Sequence, residues 1–207
     1  MPTLAFPAIL LVMNSYPIIG LAGTFASGKD TLGHYLVTEY GYLHVSTSDM
    51  VRQEAMKAHG SIERPVLHET ANTLRHDRGA GVFAELAITL FKAKLESGND
   101  YKGLVVSGLR SLGEAKAIKA AGGTLLFVDA PIEIRYGRMV SRKRDDETKL
   151  TLDEFAAQEA KELTVEDESD DAAFNIRGIQ AMSDIVLENG SSLDEFIASA
   201  TQALKLV

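Results

Sequence analysis

An α/β domain with a parallel five-stranded sheet covered by helices on both faces is what this sequence predicts, and three observations carry the prediction. Five short apolar runs alternate with stretches of helical period along most of the chain, the pattern of βα units. Those runs are mostly continuous rather than alternating, as strands buried on both faces require. The 207 residues, 45% hydrophobic and 24% charged, are enough to bury one such core.

The elements follow in order. Residues 3–13 are apolar but shorter than the roughly 20 residues that span a bilayer, and no Lys or Arg precedes them as in a signal peptide. Residues 1–16 therefore read as an appendage, with Met13 an alternative start and an extra edge strand the competing reading, and no membrane partner is expected. Strands are expected at 17–22, 42–45, 103–107, 124–129 and 184–187. Helices are expected at 29–39 and at 48–58, the latter with Ser46, Thr47 or Ser48 as cap. A helical excursion at 65–78 and 82–97 separates the second and third strands. Further helices are expected at 111–121, 131–144 and 151–163, the last capped at Thr151 with Glu154 in capping-box position. An amphipathic helix at 191–206 closes the chain.

Composition excludes several functions. With no cysteine there is no disulfide, thiolate chemistry or Cys-based metal site, and a reducing cytoplasm is the expected compartment. A net charge of −8 disfavours duplex nucleic acid as a partner. Any anionic ligand is therefore expected to be small and met locally.

The strongest motif is Gly23-Thr24-Phe25-Ala26-Ser27-Gly28-Lys29. Its G-x-x-x-x-G-K spacing lies between an apolar strand and a helix, the context in which backbone N–H groups and a helix N-terminus converge on phosphate. Lys29 is placed to reach the β and γ phosphates. After it comes Asp30, where a Ser or Thr is usual, and then Thr31. Asp30 and Thr31 are the candidate Mg²⁺ ligands, with Asp30 as a helix cap the alternative.

Residues 44–52, His-Val-Ser-Thr-Ser-Asp-Met-Val-Arg, resemble the segment after the second strand of adenylate kinases, where Ser-Thr-Gly-Asp is followed a turn later by a phosphate-gripping Arg; Ser48 stands in the place of Gly. Asp49 and Arg52, three apart, share a helix face. Val105-Val106-Ser107-Gly108-Leu109-Arg110 resembles the Asp-Gly-x-x-Arg segment of nucleoside monophosphate kinases, with Ser107 in place of Asp and the Arg one position closer. Leu126 to Pro131 with Arg135, Arg138 and Arg142 resembles their strand and lid-helix arginines. Ser183 to Leu193 resembles the last strand and Asn-Gly turn of dephospho-CoA kinases. Over residues 17–205 the chain resembles the P-loop nucleoside and nucleotide kinases, most of all the dephospho-CoA kinase-like and (deoxy)nucleoside monophosphate kinase-like branches.

That resemblance implies a three-layer P-loop NTPase fold at 17–207, an acceptor-binding helical region near 46–100 and a short lid near 138–152. It implies transfer of the γ-phosphoryl group of ATP, with Mg²⁺, to a nucleoside monophosphate or a related small acceptor. Gly23 to Thr31 and Arg138 would hold ATP, and Asp49, Arg52, Arg75 and Arg110 the acceptor. Lys29, Arg52, Arg110 and Arg142 would neutralise charge during transfer. Arg75 and Arg78, with Asn72 and His76, fall on the helical excursion; solvated helix ends are the alternative there, and His76 reads as a surface histidine. Dephospho-CoA kinase and a nucleotide-operated ATPase or switch remain alternatives. No Asn-Lys-x-Asp guanine-reading segment occurs, and Phe127-Val128-Asp129 is followed by Ala130-Pro131 rather than a second acid, which favours the kinase. Oligomeric state is left open.

Overall fold

The structure is a computed structural model that describes residues 16–141, 150–163 and 170–206. Most of the expected 1–16 appendage, Arg142 and most of the 138–152 lid lie outside the described residues.

Strands β1 (Ile18–Gly23), β2 (Tyr42–Ser46), β3 (Gly103–Ser107), β4 (Thr124–Asp129) and β5 (Ile185–Glu188) form one sheet in the order β2-β3-β1-β4-β5. Every pairing is parallel. The phosphate-loop strand β1 is therefore central, and β3 and β4 end on either side of it. In an open parallel sheet the crevice outside such carboxyl ends is where ligands bind.

Helix α1 (Lys29–Tyr40) follows β1, and α2 (Thr47–His59) follows β2. The excursion supplies α3 (Arg64–Arg78) and α4 (Val82–Glu96). Then come α5 (Leu112–Ala120), α6 (Ile132–Ser141) and α7 (Leu152–Glu162). The chain closes with α8 (Ile176–Met182) and α9 (Leu193–Ala203). Helix α8 was not expected from the sequence: seven residues are too few to display a 3.6-residue period. It is capped by Asn175, whose side chain accepts from the Gly178 N–H. Of the three capping candidates before α2, the structure selects Ser46, which accepts from the Asp49 N–H. The Thr151–Glu154 capping box forms as the spacing predicts.

Alternating strand residues serve two cores. Ile18, Leu104, Val106, Leu125 and Phe127 pack with α4, α5 and α8 on one face. Ile19, Leu21, Val105, Leu126 and Val128 pack with α1 and α9 on the other. Gly20 lets the first layer approach, since a Cβ there would lie 2.8 Å from Leu109 Cδ1 and 2.9 Å from Leu125 Cδ2. A third cluster of Val51, Ala71, Val82 and Phe83 fastens α2 and α3 to α4. Edge strand β5 departs from the doubly covered expectation: Val186 is 53% exposed. Among the described residues no helix is long and apolar enough to cross a membrane.

Candidate active site

The loop from Gly23 to Gly28 turns from the centre of the sheet into α1. Gly23 has φ 151° and a Cβ there would run into the Val128 carbonyl oxygen; Gly28 has φ 101° and a Cβ there would strike the Asn189 amide. Both positions therefore need glycine for conformation and for space. Ala26 also takes positive φ, at 59°, a rarely populated state for a non-glycine residue. Inside the loop the Ser27 hydroxyl is buried with no hydrogen-bond partner among the described residues. The loop thus offers a glycine-lined backbone hollow and a helix N-terminus, a combination that suits phosphate oxygens.

Side chains from distant elements brace it from outside. Thr24 Oγ1 donates to Asp129 Oδ1 at 2.6 Å, and the same oxygen accepts from the Ala130 N–H. Asn189 Nδ2 donates to the Ser27 carbonyl at 2.8 Å, and Arg138 donates to that carbonyl and to Asn189. The Asn-Gly turn after β5 thus bears on the phosphate loop, a contact 162 residues apart in sequence. Lys29 Nζ lies 3.4 Å from the Thr24 carbonyl oxygen. Asp30 and Thr31 are exposed in the first turn of α1. Helix α1 has Gly28 at its N-cap and Asp30 as the acidic residue of its first turn, where a carboxylate is favoured by the helix dipole. An exposed carboxylate and hydroxyl side by side suit a hard cation such as Mg²⁺.

Beside the loop a cavity of 520 Å³ opens among α2, α3, α7 and the end of β3. Phe25 of the loop lines it, with Val51, Leu67, Met139, Phe155 and Phe174 as further apolar wall. Among the described residues four arginines line it: Arg52, Arg64, Arg75 and Arg110. Arg52 Nη1 is paired with Asp49 Oδ1 at 2.8 Å; both side chains are largely exposed, and Asp49 itself is not part of the wall. Arg110 lies over the Phe174 ring at 5.5 Å.

Arg75 is not the solvated helix end that was the alternative for the excursion, being 3% exposed. Its Nε and Nη2 donate to Glu114 Oε1 at 3.1 and 2.9 Å. Glu114 Oε2 in turn accepts the Arg110 and Ser111 N–H groups. His76 is exposed, 3.9 Å from Asp170.

What sequence reasoning missed are pairings made across long gaps. Glu114 had a signal, the Ser111-x-x-Glu114 capping box, which forms. Arg135 is buried, with Nε on the Ala130 carbonyl at 2.7 Å, Nη1 toward the Phe25 carbonyl, and a two-pronged pair to Glu159 of α7. Nothing in the sequence pairs Arg135 with Glu159, or places Phe174 against Arg75. At the end of β3, Ser107 Oγ is 2.8 Å from His44 Nε2. Burial, reinforced by the His34 imidazole, holds the His44 pKa below its ordinary value, against the smaller upward pull of Asp30 and Asp49.

Fold and loop together define the class: this is the fold of the P-loop kinases. A crystal structure of TT1252 from Thermus thermophilus superposes with a TM-score of 0.56 at 21% identity, covering 93% of this chain and 98% of that one. Shikimate kinase from Acinetobacter baumannii in complex with shikimate superposes at 0.55 and 15% identity, covering 95% and 97%. No family model matches the sequence. Among curated relatives, a UPF0200 protein of Saccharolobus islandicus is 32% identical over 183 residues, 86% of this chain and 87% of that protein. One from Sulfurisphaera tokodaii is 29% identical over 94% of this chain and 99% of its own length. The chain belongs to the UPF0200 family. It spans about half, 54%, of a longer UPF0200/UPF0201 relative from Archaeoglobus fulgidus.

Proposed function

We propose that this protein is an ATP-dependent phosphotransferase that moves the γ-phosphoryl group to a nucleoside monophosphate or a related small nucleotide-like acceptor. The observation that carries this reading is the arginine-lined cavity beside the phosphate loop, sharing Phe25 with it. Its volume lies in the range of small-molecule sites.

In this reading Gly23 to Thr31 hold the donor, with loop amides on its phosphates and Lys29 on the β and γ oxygens. Arg138 braces the loop through the Ser27 carbonyl and Asn189. Mg²⁺, when bound, neutralises charge on the donor's phosphate oxygens, and Asp30 and Thr31 are the residues that would hold it. Asp49, Arg52 and Arg110 receive the acceptor, with Arg52 exchanging its Asp49 partner for a ligand phosphate. An acceptor phosphate oxygen forms the new P–O bond as the β–γ bridging bond breaks, and the electron pair leaves on ADP. A phosphate acceptor is already nucleophilic, so no general base is required. Arg142 is proposed as a further cation for the transferring group.

ADP release should be followed with a panel of ribo- and deoxynucleoside monophosphates and dephospho-CoA. The expected result is ADP release stimulated by at least one monophosphate. Stimulation by dephospho-CoA alone would move the assignment to a hydroxyl acceptor, and no stimulation by any member would overturn it.

A further inference from the structure

Arg135 joins the phosphate loop, the end of β4 and helix α7. Its Nε donates to the Ala130 carbonyl at 2.7 Å. Nη1 is shared between the Phe25 carbonyl of the loop, at 3.4 Å, and Glu159 Oε1, while Nη2 donates to Glu159 Oε2 at 2.7 Å. The Arg135 side chain is 6% exposed and that of Glu159 12%, a degree of burial at which losing either charge alone is costly. The pair therefore fixes α7 against α6. Phe155, one turn before Glu159 on α7, completes the junction, its ring 5.9 Å from Arg135 Cζ and 6.0 Å from the Phe25 ring.

This junction falls on the strained part of the loop. Ala26, which follows Phe25, has φ 59°, a conformation that persists in a non-glycine residue only where the surroundings enforce it. Asp129 holds the Thr24 hydroxyl on one side of this point, and Asn189 and Arg138 hold the Ser27 carbonyl on the other. Arg135 holds the Phe25 carbonyl between them. Glu159 and Phe155, at the other end of the junction, belong to the cavity wall. A backbone hollow binds phosphate tightly when its amides are already aimed, because ordering them on binding subtracts from affinity. With its donors engaged by Glu159 and two carbonyls, Arg135 acts on the loop's shape and not on a phosphate.

Resting on the phosphotransferase reading above, we propose that Arg135 is a positioning residue that transmits the placement of α7 to the phosphate loop. Nucleotide affinity then depends on Glu159, a residue of the cavity wall that touches no donor nucleotide in that reading.

The test is calorimetric titration of the folded protein with ADP and Mg²⁺. Glu159→Gln and Arg135→Lys are each expected to weaken ADP binding by about tenfold, the loss of preorganisation in the loop. The lysine keeps a charge beside Glu159 but gives up the fork that also reaches Phe25. Arg135→Met with Glu159→Gln removes the pair without stranding a charge, and its affinity measured against wild type gives the same test if a single variant does not fold. Because both side chains act through one contact, the double variant should bind ADP no more weakly than the weaker-binding single variant; losses that add overturn the proposal. A structural role alone would lower the thermal midpoint and leave the folded variants with wild-type ADP affinity. That result overturns the proposal and leaves the phosphotransferase reading standing, whereas wild-type protein that fails to bind ADP overturns both.

Discussion

The glycine loop and the arginine-lined cavity lie side by side and are built in opposite ways. The loop is one contiguous stretch whose working groups are backbone amides, shaped by Gly23 and Gly28, whose φ values of 151° and 101° suit glycine. The cavity is an assembly of side chains, with Arg52 from α2, Arg75 from α3, Arg110 after β3, Phe155 from α7 and Phe174 before α8. A backbone site fails when its own few residues change. An assembled site depends on the ion pairs that hold its parts in register, here Arg75–Glu114 and Arg135–Glu159.

The largest effect that would sharpen this contrast is Lys29→Ala. On the reading of the loop as the donor site, phosphoryl transfer should fall by about a hundredfold or more with weakened ATP binding, and the thermal midpoint should barely move. Wild-type turnover in that variant would break the assignment of the loop. Glu114→Ala should do the reverse. Stranding Arg75 as an uncompensated buried charge should cost about 3–5 kcal/mol, readable by denaturant titration, although Glu114 touches no nucleotide in this reading.

Next in size is Arg52→Ala. Loss of one charge-assisted contact, about 1.5–3 kcal/mol, corresponds to roughly tenfold to a hundredfold in kcat/KM for the acceptor. ATP affinity should be unchanged, because the residue belongs to the cavity alone; a matching loss of ATP affinity would merge the two regions. Asp30→Ser should shift the magnesium dependence of turnover while leaving the fold intact, and an identical magnesium titration would remove Asp30 from the metal. The smallest effect concerns His44. Its pKa is lowered on folding from 6.5, chiefly by burial, so the unfolded chain takes up the proton first. Its contribution is then complete above pH 6.5 and lost as pH falls from there toward the folded value. His44→Gln should flatten that acid-side loss in unfolding free energy, and an undiminished slope would assign it to other groups.

How much of this was legible depends on sequence separation. The five strands show as local apolar runs, and the phosphate loop and the caps at Ser46 and Thr151 rest on interactions a few residues apart. Helix α8 was illegible because its seven residues rely on Asn175 and on packing of Ile176 and Ile179 into the core. Arg75 was visible as a cation near the acceptor. That it is charge-neutralised was not, because Glu114 is 39 residues away in sequence.

The sequence alone determined the α/β class, the strand that leads into the glycine loop and the succession Lys29, Asp30 and Thr31 at the helix start, because hydrophobic period, glycine conformation and helix starts are local properties of the chain. Only the tertiary structure decided the strand order that sets β3 and β4 beside the loop, the Asn189 and Arg138 brace on Ser27, and the difference between the exposed Arg52–Asp49 pair and the buried Arg75–Glu114 pair. Those depend on which distant groups meet at low dielectric, and the strength of a charge or a hydrogen bond there is set by partners that no spacing rule names.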